Sequence, residues 1–234
     1  MNRLLTTMRW DIALQVRNGF YYATAFVVAM WALIFLQLPA LNIAWFLPCL
    51  VAGNLLMNTF YFISGLVLLE KGEGTLSALV VTPLRIGEYL TAKIGTLTLL
   101  ATLENVLIVG LLYGFGFRAV PLVLGIVLVS AFYVLTGFVA VARYDSINQY
   151  LFPSVIYSSL VSLPLLPYLA QWDHWLLYVH PLQGLLVLLQ AAFEPVAAWK
   201  LVFGVLYAAF WIGIVYRWSR RAFTRFILVG SGGS

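Results

Sequence analysis

The sequence predicts an all-α integral membrane protein with six transmembrane helices, and three observations lead to that prediction. Hydrophobic residues make up 63% of the 234 residues and charged residues only 9%, whereas soluble domains have about 45–50% and about 25%. The apolar residues form long runs, as needed for spans of about 20 residues. Lys and Arg are concentrated on one side of the predicted membrane. Six spans leave no room for a soluble catalytic domain.

The predicted spans follow one another with short connections. They cover residues 20–38, 45–69, 94–117, 120–142, 150–170 and 197–216. A further apolar stretch, 175–193, is interrupted by His180-Pro181 and Gly184, so its unbroken run is too short to cross a bilayer. We therefore predict that residues 171–195 form an outer segment that re-enters the membrane or lies at its surface.

Residues 1–18 have the pattern of an amphipathic helix lying in the membrane interface. One face of the helical wheel is apolar and comprises Leu4, Leu5, Met8, Ile12 and Val16. The opposite face carries Arg3, Thr6 and Arg17. We treat residues 1–230 as a single transmembrane domain and residues 231–234, Ser-Gly-Gly-Ser, as a tail without function.

The positive charges predict the orientation in the membrane. With six spans and a cytoplasmic N-terminus, 11 of the 13 Lys and Arg residues face the cytoplasm, which agrees with the positive-inside rule. A seventh span would place the C-terminal arginines on the wrong side. We therefore predict a multi-pass protein of the inner (cytoplasmic) cell membrane with both termini in the cytoplasm. The net charge of +5 does not indicate nucleic-acid binding, because no basic domain exists.

Several catalytic and cofactor motifs are missing from the sequence. It has no Gly-Lys dipeptide and so no Walker A loop, which means that this chain cannot by itself bind and hydrolyse ATP. Zincin and serine-hydrolase motifs are also missing. The single cysteine, Cys49, excludes a multi-cysteine metal site. We predict no catalytic residue, no metal site and no cofactor in this chain.

The most informative segment is the cytoplasmic loop 70–92 between the second and third spans. It begins with a charged, glycine-containing turn, and the apolar residues that follow recur at helical spacing: Leu76, Leu79 and Val80. An apolar ridge on a cytoplasmic helix favours docking into a groove of another protein. A helix lying flat on the bilayer has the same periodicity, so the pattern alone leaves both readings open.

This loop resembles that of the permease subunits of type-2 ABC exporters. The matching residues are Glu73, Gly74-Thr75-Leu76 and Thr82-Pro83-Leu84, and in the outer segment His180-Pro181-Leu182 resembles the family's Asn-Pro-Leu. The resemblance extends to the order of elements over essentially the full chain. In size and at residues 80–84 the chain is similar to small drug-export permeases, including those called fluoroquinolone exporters. Polysaccharide and teichoic-acid exporters share the fold, so the cargo stays open.

The resemblance implies the permease subunit of an ABC efflux transporter, of the multidrug type, that moves an amphipathic drug-like or lipid-like molecule outward. It also implies a separate ATPase subunit, which binds the ATP and Mg²⁺, and a second permease copy, identical or related. Acidic residues of the loop are expected to pair with a basic rim on the ATPase. The residues expected to couple to that ATPase are Glu70, Glu73, Gly74, Thr75, Leu76, Leu79 and Pro83.

Four polar residues lie within predicted spans and are candidates for the translocation path. Asn54 and Asn58 share one helix face at i, i+4 spacing, and Glu104 and Asn105 lie one third to halfway across. A carboxylate at that depth faces the bundle interior, a partner or a water-filled path. An interhelical hydrogen bond explains it equally well.

Two other classes of function compete with transport. The first is an intramembrane enzyme that uses Glu104 with Asp173 or His174. The second is a membrane assembly subunit that anchors a partner without transporting anything. Co-purification with an ATPase separates transport from the enzyme, and ATP-dependent export separates it from the assembly subunit.

Overall fold

The computed structural model describes residues 3–37, 43–76 and 84–228, and these form helices joined by turns. Ten α-helices are defined: α1 Arg3–Arg17, α2 Phe20–Leu36, α3 Leu47–Leu55, α4 Phe62–Gly72, α5 Ile86–Tyr113, α6 Ala119–Val141, α7 Ile147–Ser162, α8 Leu165–Leu169, α9 Pro181–Gln190 and α10 Ala198–Phe223. Two π-helical stretches, Leu56–Tyr61 and Thr224–Leu228, and a 3-10 helix, Trp175–Val179, complete the described part of the chain.

Four segments of the described chain are long and apolar enough to cross a membrane: Leu47–Gly72, Ile86–Tyr113, Ala119–Val141 and Ala198–Phe226. A fifth is added if α1 and α2, which meet at 63°, form one broken span. The protein is therefore an all-helical membrane protein with four to five candidate spans. The six predicted spans are not confirmed as a set, because α2 has 17 residues and the predicted fifth span is interrupted.

The interruption in the predicted span 150–170 has a local cause. Helix α7 has 16 residues and contains Pro153, and the shorter α8 begins only after Pro164. Proline lacks the N–H that continues a helix, so the apolar run is divided into two pieces. A hydropathy scan depends only on the composition of such a run, so it does not detect where the helix is interrupted.

The core of the bundle is built around α6, which packs against α5, α9, α10 and the segment α3–α4. Helices α9 and α10 approach so closely that a Cβ on Gly204 would lie 2.7 Å from the carbonyl oxygen of Gly184. Small residues allow such close packing of helices in membranes. Gly184, which interrupts the apolar run in the sequence, therefore serves a helix contact.

The outer segment contains α9, whose ten residues are fewer than a span needs. Its start is fixed by Pro181 in the first turn and by His180, whose Nδ1 accepts a hydrogen bond from the N–H of Leu182 at 3.2 Å. The other ring nitrogen, Nε2, lies 3.0 Å from the carbonyl oxygen of Leu160. Because Nδ1 accepts, Nε2 carries the proton of the neutral ring and donates to Leu160.

The hydrogen bond that His180 accepts at the start of α9 predicts that the stability of this helix end depends on pH. Burial lowers the pKa of His180 below its ordinary value, and the hydrogen bond to Leu160 offsets part of this shift. As the pH falls, His180 is protonated in the unfolded segment before it is protonated in the folded one. The stability that the neutral ring contributes above about pH 6.5 is therefore lost as the pH falls toward the lowered pKa.

We expect amides at the start of α9 to exchange hydrogen faster in the wild type than in His180→Asn at pH 5, and equally fast at pH 8. Asparagine also caps helices but does not titrate. Equal rates at both pH values would contradict this role.

Candidate functional site

The first candidate site joins the spans Leu47–Gly72 and Ile86–Tyr113. The side-chain amide of Asn54 donates to Glu104 Oε1 at 3.1 Å and to Asn105 Oδ1 at 3.2 Å, and the amide of Asn58 donates to Glu104 Oε2. All four residues are buried, and Glu104 is only 1% exposed. The structure thus brings together the four polar residues predicted for the membrane interior, which we call the Glu104 cluster.

The helix that carries the two asparagines is not regular. After α3 it widens into the π-helical stretch Leu56–Tyr61, which contains Asn58. The Thr59 hydroxyl donates to the Leu55 carbonyl at 2.5 Å and supports the altered backbone there. Wide turns of this kind are frequent at functional sites. No proline or glycine marks the stretch in the sequence, so it gives no local signal.

The chemistry of the Glu104 cluster follows from its partners. Among the described residues, Glu104 accepts hydrogen bonds from amides and forms no ion pair. Two N–H donors stabilise a carboxylate, and inside a bilayer they also join the two helices firmly. Because the carboxylate is enclosed, contact with a translocated molecule requires α3 and α5 to move apart.

A second polar cluster lies at the Gly72 end of the bundle and was not predicted. The Lys93 ammonium of α5 forms ion pairs with Asp11 of α1 and with Glu70 of α4, the latter at 2.5 Å. The side chains of Lys93 and Asp11 are each 3% exposed. A buried pair is tolerated only when further hydrogen bonds satisfy the charges.

Neighbouring polar groups supply those hydrogen bonds. The Tyr89 hydroxyl donates to Glu70 at 2.6 Å, the Gln15 amide donates to Asp11 at 3.0 Å, and the Thr96 hydroxyl donates to Asp11 as well. We call these six residues the Lys93 cluster: Asp11, Gln15, Glu70, Tyr89, Lys93 and Thr96. It fastens α1 to α4 and α5, which extend into the two ends of the predicted loop 70–92.

The described part of the predicted coupling segment forms a turn after α4. Glu73 forms an exposed ion pair with Arg17 at 2.6 Å, and Gly74 has a positive φ of 69°, as expected for a sharp turn. The Thr75 hydroxyl donates to the Glu70 carbonyl at 2.9 Å. Leu76 is 2% exposed and belongs to the apolar core. Leu79 and Pro83 lie outside the described residues.

These positions correct two expectations. The Glu70 carboxylate is occupied by Lys93 and Tyr89 and does not face a partner's basic rim. The Leu76 side chain packs inside the chain and is not part of an exposed ridge. On α1 the buried residues are Asp11 and Gln15, while the interfacial position predicted for its apolar face stays a prediction. Periodicity identifies a face but not the group that covers it.

Lys71 is another residue whose role the sequence did not indicate. Its ammonium donates to the carbonyls of Ala142 and Tyr144, at 2.7 Å each, and lies 3.2 Å from Asp145 Oδ1. It therefore satisfies backbone carbonyls at the end of α6, where a cation is favourable. Its partners are more than 70 residues away in sequence, which explains the missing signal.

The fold defines a multi-pass, all-helical membrane protein. The chain belongs to the fluoroquinolones export permease protein family, whose model matches residues 2–231. This confirms the resemblance based on residues 73–84. Within the described residues, no three His, Cys, Asp or Glu side chains could hold a metal ion together.

Two curated relatives agree with this assignment. They are the fluoroquinolones export permease proteins of Mycobacterium tuberculosis strains CDC 1551 / Oshkosh and ATCC 25618 / H37Rv. Each is 32% identical to this chain over 235 residues, which is 99% of either sequence. The similarity places the chain among membrane transport subunits rather than among enzymes.

Proposed function

We propose that this chain is the transmembrane subunit of an ATP-driven exporter that moves an amphipathic, drug-like or lipid-like molecule outward. The observation that carries the proposal is the match of nearly the whole chain to an export permease family. The curated relatives are named for export of fluoroquinolones, which are amphipathic drugs. A separate ATPase subunit supplies the energy, because the sequence has no Walker A loop. A second permease copy completes the transporter.

The proposed topology has six spans in the inner membrane and both termini in the cytoplasm. To the four long candidate spans it adds α2, whose 17 residues reach the lower limit of about 17–25 for a span. It also adds α7 and α8 as one broken span. The distribution of 11 of 13 positive residues supports this arrangement.

Coupling to the ATPase is proposed for the loop 70–92. The Lys93 cluster holds the last turn of α4 and the start of α5 in fixed positions, so force applied to the loop reaches both helices. Glu73, whose surface ion pair with Arg17 contributes little energy, can exchange that partner for a basic group on the ATPase. Leu79 is proposed to dock in the ATPase groove, whereas buried Leu76 anchors the segment from within.

The ATPase is first identified by its copurification with the wild-type permease. The two proteins are then co-expressed for the test. We expect Leu79→Asp to retain normal membrane insertion but to weaken ATPase capture about tenfold or more, because burying one leucine contributes about 1.5–3 kcal/mol. ATP-dependent uptake of norfloxacin into inverted vesicles, followed by its fluorescence, should fall in parallel. The matched control is Leu79→Met, which keeps the apolar contact.

The outcomes separate the competing functions. Wild-type capture and uptake by Leu79→Asp would contradict the coupling role of this residue. A wild-type complex that contains the ATPase but transports nothing indicates an assembly subunit. A wild-type chain that binds no ATPase and transports nothing favours the intramembrane enzyme.

A further inference from the structure

A cavity of about 300 Å³ lies at the end of the bundle where Leu47 begins, opposite the Lys93 cluster. The helix Leu47–Gly72 has 26 residues, so the two ends lie about 39 Å apart at 1.5 Å per residue. The cavity is formed by the outer segment together with α8, α9 and the residues before α3. Its volume is at the lower end of the range for small-molecule sites.

Aromatic side chains form the walls of this cavity. They are Trp45, Tyr168, Trp172 and Tyr178. The Tyr168 hydroxyl donates to the Trp45 carbonyl at 3.1 Å and joins two of the walls. The Trp172 side chain is 60% exposed, so it is available to a ligand. Flat aromatic faces stack on planar rings and attract cations.

The charged residues at the cavity favour a cation. Asp173 and Glu194 contribute two carboxylates and Lys200 one ammonium. Glu194 accepts a hydrogen bond from the Gln190 amide at 3.0 Å, and neither carboxylate forms an ion pair within the described chain. The Lys200 ammonium lies 5.8 Å from the Tyr178 ring centroid. The lining therefore has an excess of one negative charge.

Residues of α9 line one side of the cavity. Leu186 and Val187 are buried there, and Gln183, which is 8% exposed, lines the same cavity. The Gln183 amide oxygen accepts no hydrogen bond from the described residues, although buried polar groups are normally satisfied. A ligand with an N–H group could supply a donor at this end of the cavity.

We propose that this cavity binds a planar aromatic amphiphile that carries a protonated amine. The rings stack between the tryptophan and tyrosine walls, and the ammonium lies near Asp173 and Glu194. This site would add to the proposed function. It rests on that function only in one respect, which is that the cavity lies at the outer end of the export path. Binding itself needs neither ATP nor a partner subunit.

The experiment compares two tricyclic probes that differ in charge. Purified wild-type protein in lipid nanodiscs is titrated with 9-aminoacridine, a cation at pH 7, and with 9-anthracenecarboxylate, an anion, and the probe fluorescence gives each dissociation constant. We expect the cation to bind at least about tenfold more tightly. In the isosteric variant Asp173→Asn/Glu194→Gln, cation affinity should fall about tenfold, since two nearby attractive charges are lost.

Two further variants distinguish a binding site from general damage. Lys200→Gln removes the opposing charge, so it should bind the cation more tightly than the wild type, which a merely structural defect would not produce. Trp172→Leu should weaken both probes several-fold, whereas Trp172→Phe retains stacking and most of the affinity. Equal affinity for the two probes, or an unchanged cation affinity in the double carboxylate variant, overturns the proposal.

The binding experiment on the cavity can succeed or fail independently of the test of ATPase coupling. If the cavity binds the cation as expected but the assembled complex exports nothing, the proposed transport function fails and the binding site stands. If norfloxacin uptake is normal and the carboxylate variant binds 9-aminoacridine as the wild type does, the binding site fails and the transport function stands.

Discussion

Replacing Lys93 by methionine is expected to destabilise the folded chain by about 3–5 kcal/mol, the usual cost of removing one member of a buried ion pair. Asp11 and Glu70 would both stay buried without a cation between them. The free energy of unfolding is measured by titrating the protein in mixed micelles with sodium dodecyl sulfate and following its helical circular dichroism. The same variant should capture less ATPase, because the loop 70–92 loses its attachment to α1.

The matched control removes all three charges. Asp11→Asn, Glu70→Gln and Lys93→Met combined leave no charge in the Lys93 cluster, so the triple variant should lie within about 1–2 kcal/mol of the wild type. If the single Lys93→Met variant were as stable as the triple variant, the ion pairs would contribute nothing to folding. A stable triple variant that no longer captures the ATPase would show that the Lys93 cluster serves coupling more than stability.

The Glu104 cluster could be predicted from the sequence because the bilayer restricts the alternatives. Asn54 and Asn58 share a helix face, and Glu104 lies at a similar depth in the next span. Polar groups in hydrocarbon have few partners other than one another. The structure shows hydrogen bonds between these residues, which was one of the alternatives left open, while their part in a translocation path stays a proposal.

The Lys93 cluster could not be predicted in the same way. Asp11 and Lys93 are 82 residues apart. The sequence alone gives no sign that they are more than charged residues near the membrane surface. A helical wheel separates the apolar and polar faces of α1, but it does not show that α5 provides an ammonium and a hydroxyl to Asp11 and Gln15 inside the bundle. Only the three-dimensional arrangement supplies that information.

The number of spans shows a different limitation of the sequence. Hydropathy treats residues 150–170 as one run, because the stretch is mostly apolar and contains no charged residue. The break at Pro164 divides that run into α7 and α8, whereas Pro153 lies within α7. No such break divides the spans Leu47–Gly72 and Ala119–Val141, although the first contains the π-helical stretch. The sequence predicted the ends of both spans to within a few residues.

Glu104→Leu is expected to destabilise the protein by at least about 1–3 kcal/mol, because the Asn58 amide would remain buried without an acceptor, whereas the Asn54 amide retains Asn105. The unfolding titration used for Lys93 measures this loss. The control is the triple variant Asn54→Leu/Asn58→Leu/Glu104→Leu, in which acceptor and donors disappear together. It should recover most of the lost stability.

Glu104→Gln separates the charge of this residue from its packing. Glutamine has nearly the same shape and retains a carbonyl acceptor, so its unfolding free energy should stay within about 1–2 kcal/mol of the wild type. If norfloxacin uptake falls in this stable variant, transport requires the carboxylate itself, as expected for a group that meets a cationic molecule when α3 and α5 separate. If uptake is unchanged while Glu104→Leu unfolds easily, the carboxylate acts only as a contact between helices. Normal stability and uptake in both variants would leave Glu104 with neither role.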